Sequence, residues 1–200
     1  MTELMAALRD ASRTYSGRIA FDVKSLEIFK GDSIALKGHN GSGKSTLLRV
    51  LCGVTQLSSG KFETTTRWRK SRIAYCPQFG GLYGDLTLNE NIRLMKRRIP
   101  VSITNRLFLD LLNATGLEKY RHVEIRRLSG GYQKLAMLAL ALAMKADVLI
   151  LDEPTADLDQ SHVEKLAAIL HQASDFYLAV VIADHAREFL GLAKRTIELA

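Results

Sequence analysis

The chain has 200 residues, of which 47% are hydrophobic and 24% are charged. This composition excludes disordered and fibrous classes, and the length predicts one continuous core with at most a subdomain attached. The net charge of +7 suits an anionic partner and leaves nucleotides, nucleic acids and anionic lipid surfaces open. Basic runs at 67–72, 96–98 and 126–127 lack zinc-finger spacing and aromatic recognition patterns, so we interpret them as solvated faces and expect no specific nucleic acid partner.

The cysteines and the apolar runs indicate in which cellular compartment the chain works. Cys52 and Cys76 are the only cysteines and have no CxxC spacing, which favours a reducing compartment over a disulfide framework or a metal knuckle. Charged residues interrupt the apolar runs of residues 1–17, which argues against a signal peptide. The longest apolar stretch, 135–144, is shorter than the roughly 20 residues that span a bilayer. We expect a soluble chain that meets a membrane only through a partner.

The first elements in chain order are short β runs at 19–28 and 32–37, whose separating glycines predict hairpin-connected strands. The second run is followed by a glycine-rich turn at 38–43. From Lys44 the apolar residues have helical spacing up to Gly53. The order is therefore strand, glycine loop, helix.

Downstream, residues 60–64 and 72–76 are predicted strands, and residues 86–144 have a helical pattern that would form a subdomain at about 84–140. The near-continuous apolar runs 146–155 and 176–185 are typical of strands buried on both faces of a parallel sheet. A last strand-like segment, "RTIEL", follows them.

The glycine turn reads "GHNGSGKS" and matches the pattern G-x-x-x-x-G-K-[ST]. Glycines let backbone N–H groups approach phosphate oxygens, lysine adds a positive charge, and serine offers a hydroxyl to Mg²⁺. The alternative is a glycine-rich turn with an exposed lysine. The predicted nucleotide contacts are Gly38, His39, Asn40, Gly41, Ser42, Gly43, Lys44, Ser45 and Thr46.

Two carboxylates, Asp152 and Glu153, lie at the end of the buried run "VLILD". In α/β folds, ligands bind at the carboxyl ends of the strands. Asp152 is a candidate Mg²⁺ ligand, and Glu153 is a candidate base for an attacking water. His185 ends the next apolar run and is a candidate γ-phosphate contact. A solvated acidic turn stiffened by Pro154, and a structural histidine, are the alternatives.

A second glycine pair occurs in "RRLSGGYQKLAM", where Ser129 is a natural helix N-cap. Gly130 and Gly131 leave the backbone amides of the first turn uncovered, which predicts an anion site, the alternative being a simply capped helix. Within one monomer, the loop at 38–45 is already sufficient to bind the phosphates of one nucleotide. The second would therefore face a nucleotide held by another molecule.

These segments and their order resemble the ATP-binding subunit of ATP-binding cassette (ABC) transporters over nearly the whole chain. The matching segments are the phosphate loop "GHNGSGKS", the glutamine loop "YCPQ", the signature "LSGGYQ", the Walker B strand "VLILDEP", the D-loop "ADLD" and the switch histidine of "ADH". The resemblance implies an α/β fold, a P-loop NTPase of ABC type. We expect a mixed parallel sheet core, an antiparallel β region and the helical subdomain within one domain, residues 1–200.

The resemblance also implies ATP and Mg²⁺ as cofactors, with hydrolysis to ADP and phosphate. It makes Glu153, His185 and Lys44 the catalytic residues, and Ser45, Gln78 and Asp152 the Mg²⁺ ligands. It further implies a head-to-tail dimer, a homodimer or a pair with another cassette subunit, in which Ser129, Gly130 and Gly131 complete the partner's site. Asp157 to Asp159 would cross that interface, Asp159 as a nucleotide contact, and Tyr15 would stack on adenine unless it is a packing residue.

The sequence departs from the family pattern at Tyr132, where the common signature has glutamine. We expect this residue to lie close enough to alter ribose or adenine contacts across the dimer interface. The arginines that usually follow are replaced by a segment with Lys134 as its only charge before Lys145. The chain is short for the family, so we expect no C-terminal regulatory domain. Its size resembles ATPases of small exporters, including the haem-exporter type.

The leading function is an ATPase subunit on the cytoplasmic face of the membrane that powers a separate integral-membrane permease, docked at "FGGLYGDL". An ordinary loop is the alternative for that segment. The second hypothesis is a soluble ABC-type ATPase, as in iron–sulfur assembly. The third, a non-hydrolysing regulator, is disfavoured because Glu153 and His185 are both present.

Overall fold

The computed structural model describes residues 3–98, 104, 106–144, 146–173, 176–186, 188, 191 and 193–199. The strands are β1 (Leu4–Tyr15), β2 (Arg18–Phe29), β3 (Asp32–Lys37), β4 (Ser59–Thr64), β5 (Ile73–Cys76), β6 (Val148–Asp152), β7 (Ala179–Ala183) and β8 (Arg195–Glu198). The α-helices are α1 (Lys44–Leu51), α2 (Thr66–Lys70), α3 (Leu88–Lys96), α4 (Arg106–Thr115), α5 (Gly130–Ala143) and α6 (Gln160–Ala173). Two 3₁₀ turns, Leu117–Tyr120 and Ile125–Arg127, lie between α4 and α5.

The central sheet is parallel and has the strand order β5-β6-β7-β3-β8. Every residue of β6 and β7 is buried. Side chains alternate between the two faces: Leu149 and Leu151 pack against the helical side, and Val148 and Ile150 pack against the side of α1 and the second sheet. The predicted parallel core is confirmed, and the carboxyl ends of β3, β6 and β7 meet at one edge.

The second sheet is antiparallel, with the order β2-β1-β4, and confirms the predicted antiparallel region. The predicted hairpin between 19–28 and 32–37 is wrong. β2 pairs with β1, whereas β3 pairs in parallel with β7 and β8. The physical reason is burial: β3 is buried at five of its six positions, as in a strand covered on both faces, whereas β2 has several exposed positions.

The helices α3, α4 and α5 lie within the predicted helical region, parts of which, at 99–103 and 105, fall outside the described residues. They share one hydrophobic cluster with α6 and with one face of the parallel sheet. The boundary of a subdomain at about 84–140, and the single domain over 1–200, stay predictions. In the part of the chain that the structure describes, no helix has the length and apolar character needed to cross a bilayer.

Candidate nucleotide-binding site

The phosphate loop connects β3 to α1 and is packed closely against its surroundings. Gly43, the residue before α1, has a positive φ of 88°, and a Cβ at this position would collide with the carbonyl oxygen of Ala20. A Cβ at Gly38 would collide with Ser42 Oγ. Only glycine satisfies both the conformation and the space at Gly43, so the glycines of the sequence pattern fix the course of the loop.

Lys44 begins α1 and turns its side chain into the loop. Its Nζ donates to the carbonyl oxygens of Gly38 at 2.8 Å and His39 at 3.0 Å, and the residue is only 5% exposed. The ammonium and the first-turn amides of α1 place positive charge beside an open cavity of about 420 Å³. This cavity, the phosphate-loop cavity, is lined by Ala20, Asn40, Gly41, Gly43, Lys44, Ser45, Thr46, Gln78 and Glu153.

Asp152, the last residue of β6, lies beside the loop as the sequence predicted. Ser45 Oγ donates to its Oδ1 at 3.0 Å, and the Tyr75 hydroxyl donates to its Oδ2 at 3.3 Å. Burial raises the pKa of the Asp152 carboxyl above its ordinary value, and these two hydrogen bonds oppose the shift. A cation bound here would stabilise the ionised carboxylate. Sequence reasoning missed Tyr75, since nothing in the strand pattern marks its hydroxyl.

Glu153 leaves the strand in an unusual backbone conformation, with φ at 46°. Its N–H donates to the carbonyl oxygen of Ala183 at 2.7 Å, which fixes the turn to the neighbouring strand. Gln78 Nε2 donates to Glu153 Oε2 at 2.6 Å, and His185 Nε2 lies 3.9 Å from Oε1. The structure therefore brings Glu153, Gln78 and His185 together, and two of them, Gln78 and Glu153, line the cavity. Their chemical roles stay predictions.

Asp184, which the sequence analysis gave no role, holds two parts of this edge together. Its buried carboxylate accepts hydrogen bonds from Thr155 N at 3.1 Å, Thr155 Oγ1 at 2.8 Å and Ala186 N at 2.8 Å. These bonds connect the turn after Glu153 to the segment that carries His185. A polar residue directly before the candidate histidine is the signal that would have marked it.

The second loop has the predicted N-cap, since Ser129 Oγ accepts from Tyr132 N at 3.4 Å. A Cβ at Gly131 would lie 2.8 Å from the carbonyl oxygen of Asp157, so the D-loop approaches the start of α5 within the same chain. Gly130 lines a separate groove of about 290 Å³ together with Gln78 and Asp157. Ser129 and the two glycines do not line the phosphate-loop cavity of their own chain.

Tyr132 packs against side chains of its own chain. Its ring packs 4.5 Å from the ring of Tyr120 and 5.8 Å from that of His162, and its hydroxyl donates to the carbonyl oxygen of Thr115 at 3.5 Å. The side chain therefore turns towards α4 and α6. Contacts of Tyr132 with ribose or adenine across a dimer interface stay a prediction.

Tyr15 and Asp159 also lie outside the residues that line the phosphate-loop cavity. Tyr15 ends β1 and is 43% exposed, with the Arg13 guanidinium 4.5 Å from its ring centre. Asp159 accepts from His162 N at 2.9 Å and pairs with His162 Nδ1 at 2.7 Å, at the start of α6. Adenine stacking and a nucleotide contact stay predictions for these two residues.

The comparisons with known proteins agree with this geometry. The family model of the ABC transporter matches residues 21–156, more than half of the chain. The phosphonates import ATP-binding protein of Caulobacter vibrioides is 33% identical, over 90% of this chain and 78% of its own. The zinc import ATP-binding protein of a Ruegeria species is 36% identical, over 90% of this chain and 71% of its own.

A solved structure, the dimeric post-hydrolysis state of the ATP-binding cassette MJ0796 bound to ADP and Pi, superimposes with a TM-score of 0.82. It is 26% identical, and the match covers 98% of this chain and 94% of that one. The fold and the site define a nucleotide-binding cassette. The chain belongs to the ABC transporter family, and the prediction of an ATP-binding subunit of this family is confirmed.

Proposed function

We propose that this chain binds ATP at the phosphate loop, hydrolyses it to ADP and phosphate, and thereby powers transport through a separate membrane permease. The observation that carries the proposal is the position of Glu153, whose carboxylate lines the phosphate-loop cavity and contacts Gln78. A carboxylate beside a bound γ-phosphate can orient the attacking water and accept its proton. Lys44 and the loop amides hold the phosphates, and His185 steadies the γ-phosphate.

The donor atoms near the loop suit Mg²⁺, because the Ser45 hydroxyl, the Asp152 carboxylate and the Gln78 amide all offer oxygen. Ser45 and Asp152 are already 3.0 Å apart, and Gln78 lines the same cavity. The ion would neutralise charge on the phosphates. Turnover should therefore stop when EDTA removes Mg²⁺ and return when Mg²⁺ is added in excess. Undiminished turnover in EDTA would show that hydrolysis does not need Mg²⁺.

The separation of the two loops supports a head-to-tail dimer. Ser129, Gly130 and Gly131 do not line the chain's own phosphate-loop cavity, so they are available to cover a nucleotide held by a second subunit. The matched cassette MJ0796 is described as dimeric with ADP and Pi. We propose the same arrangement for two copies of this chain, or for this chain and a related cassette.

The glutamine-loop groove supports the permease contact. The glutamine-loop groove is the groove of about 290 Å³ that Gly130 and Gln78 line. Phe79, which is 74% exposed, and Leu82 also border it. Tyr83, in the same loop, is 63% exposed. Large exposed apolar side chains around a concave surface are typical of protein interaction sites. We propose that a cytoplasmic helix of the permease docks here and holds the chain at the cytoplasmic face.

The transport role predicts that the chain is recovered with membranes only when its permease is co-expressed. Replacing Phe79 and Tyr83 together by serine should release it into the soluble fraction, because both apolar contacts are lost. Replacing the exposed Ile19 by serine is the matched control, since Ile19 lies on β2 and is 67% exposed. Recovery in the soluble fraction that is equal with and without the permease would contradict the role.

A further inference from the structure

Lys134 is a buried lysine in the second turn of α5, the helix that begins with the signature. It is 5% exposed and is followed by a continuous buried apolar segment, 135–143. Its Nζ donates to three backbone carbonyl oxygens, those of Pro77 at 3.2 Å, Gln78 at 3.1 Å and Asp152 at 3.2 Å. A lysine ammonium has three N–H donors, so all of them are used.

This arrangement is costly for a side chain that only fills space. Burial lowers the pKa of the Lys134 ammonium, because a charged group loses hydration inside the protein. Among the described residues, no carboxylate forms a salt bridge with Lys134, and the nearby charges of Asp152, Asp184 and Glu153 oppose the lowering of its pKa only in part. An apolar side chain would avoid the penalty, as it does along the rest of α5. What the lysine provides in return is three hydrogen bonds that hold the three carbonyl groups in place.

The carbonyl groups belong to the two segments that supply the proposed hydrolytic residues. Pro77 and Gln78 form the glutamine loop, and Asp152 directly precedes Glu153. Gln78 in turn donates to Glu153 at 2.6 Å, so the amide and the carboxylate are held at both their backbones and their side chains. A displacement of either backbone would change the geometry in which Glu153 meets water.

We infer that Lys134 is a positioning residue that fixes the glutamine loop and the end of the Walker B strand relative to the signature helix, and so keeps Gln78 and Glu153 in register for hydrolysis. The inference rests on the proposed hydrolysis of ATP. It gives the only charged residue of the segment 134–144 a defined task. It also connects the surface that faces a second subunit to the reacting carboxylate through one side chain.

The test compares Lys134→Met with Thr115→Val. The second variant removes another buried hydrogen bond, from Thr115 Oγ1 to the carbonyl oxygen of Leu111, and touches neither segment. In Lys134→Met we expect kcat to fall by about 10- to 100-fold with little change in ATP affinity, as misplacement of reacting groups does. Hydrogen–deuterium exchange of the peptide over 77–84 should quicken only in Lys134→Met. Lys134→Gln, which retains N–H donors, should recover most of the turnover.

Parent-like turnover and exchange in Lys134→Met would overturn the inference, and so would equal losses in Thr115→Val or no recovery in Lys134→Gln. If the methionine variant does not fold, Lys134→Ala is measured in its place against the same expectations. An unsubstituted chain that hydrolyses no ATP would instead refute the proposed function. The exchange of 77–84 would then still test the position of the loop, because it needs no turnover.

Discussion

Replacing Glu153 by glutamine is expected to reduce ATP turnover by about 10²- to 10⁴-fold, the usual contribution of a general base. The amide has the size of the carboxylate but cannot accept a proton from water. In the proposed site the phosphates are held by Lys44 and the loop amides, and Glu153 only activates the water. ATP binding should therefore persist while hydrolysis stops.

Phosphate release from the purified variant, measured beside ATP affinity, checks this prediction. Glu164→Gln is the matched control, because Glu164 is an exposed carboxylate on α6 whose recorded partner is Gln160. The control should hydrolyse ATP like the parent. Turnover in Glu153→Gln that equals that of the control would show that another group activates the water.

Replacing Lys44 by methionine is expected to weaken ATP binding by about 10- to 100-fold, the loss of a hydrogen bond to a charged group at about 1.5–3 kcal/mol. Lys44 Nζ is held inside the loop by the carbonyl oxygens of Gly38 and His39, and Lys44 lines the cavity in which we propose that the phosphates bind. Methionine keeps the aliphatic stem that packs in the loop. The fold should survive because β3 and α1 retain their apolar contacts.

Titration calorimetry with ATP measures this loss. Lys165→Met removes an exposed lysine on α6 and serves as the control for the change in net charge. Its ATP affinity should match that of the parent. An equal affinity in Lys44→Met would place the phosphates somewhere other than this loop.

Local patterns predicted the elements that position the site. The glycine spacing at 38–45 requires a turn that few other residues can follow, and Gly43 shows why, because a Cβ there would meet Ala20. The uninterrupted apolar runs that become β6 and β7 predicted strands buried on both faces. Since parallel strands end at one edge, Asp152, Glu153 and His185 were expected at one place, and the structure brings them there.

Contacts between distant segments were not predictable from these patterns. Lys134 reaches carbonyl groups of a loop 56 and 57 positions away in the chain, and Tyr75 reaches Asp152 from 77 positions away. The strand at 32–37 was assigned to the wrong partner because pairing depends on which face is covered, which a short run does not reveal. The packing of the Tyr132 ring on Tyr120 was likewise not predictable, because Tyr120 lies outside the signature.

The measurement to make first is the solution mass of the Glu153→Gln protein by light scattering, with Mg·ATP and without nucleotide. If the two loops of one chain serve two different nucleotides, the protein has the mass of one chain without ATP and of two chains with it. Because hydrolysis is blocked, the dimer should persist until ATP is removed. A protein that is saturated with ATP and still has the mass of one chain would contradict the sandwich of two cassettes.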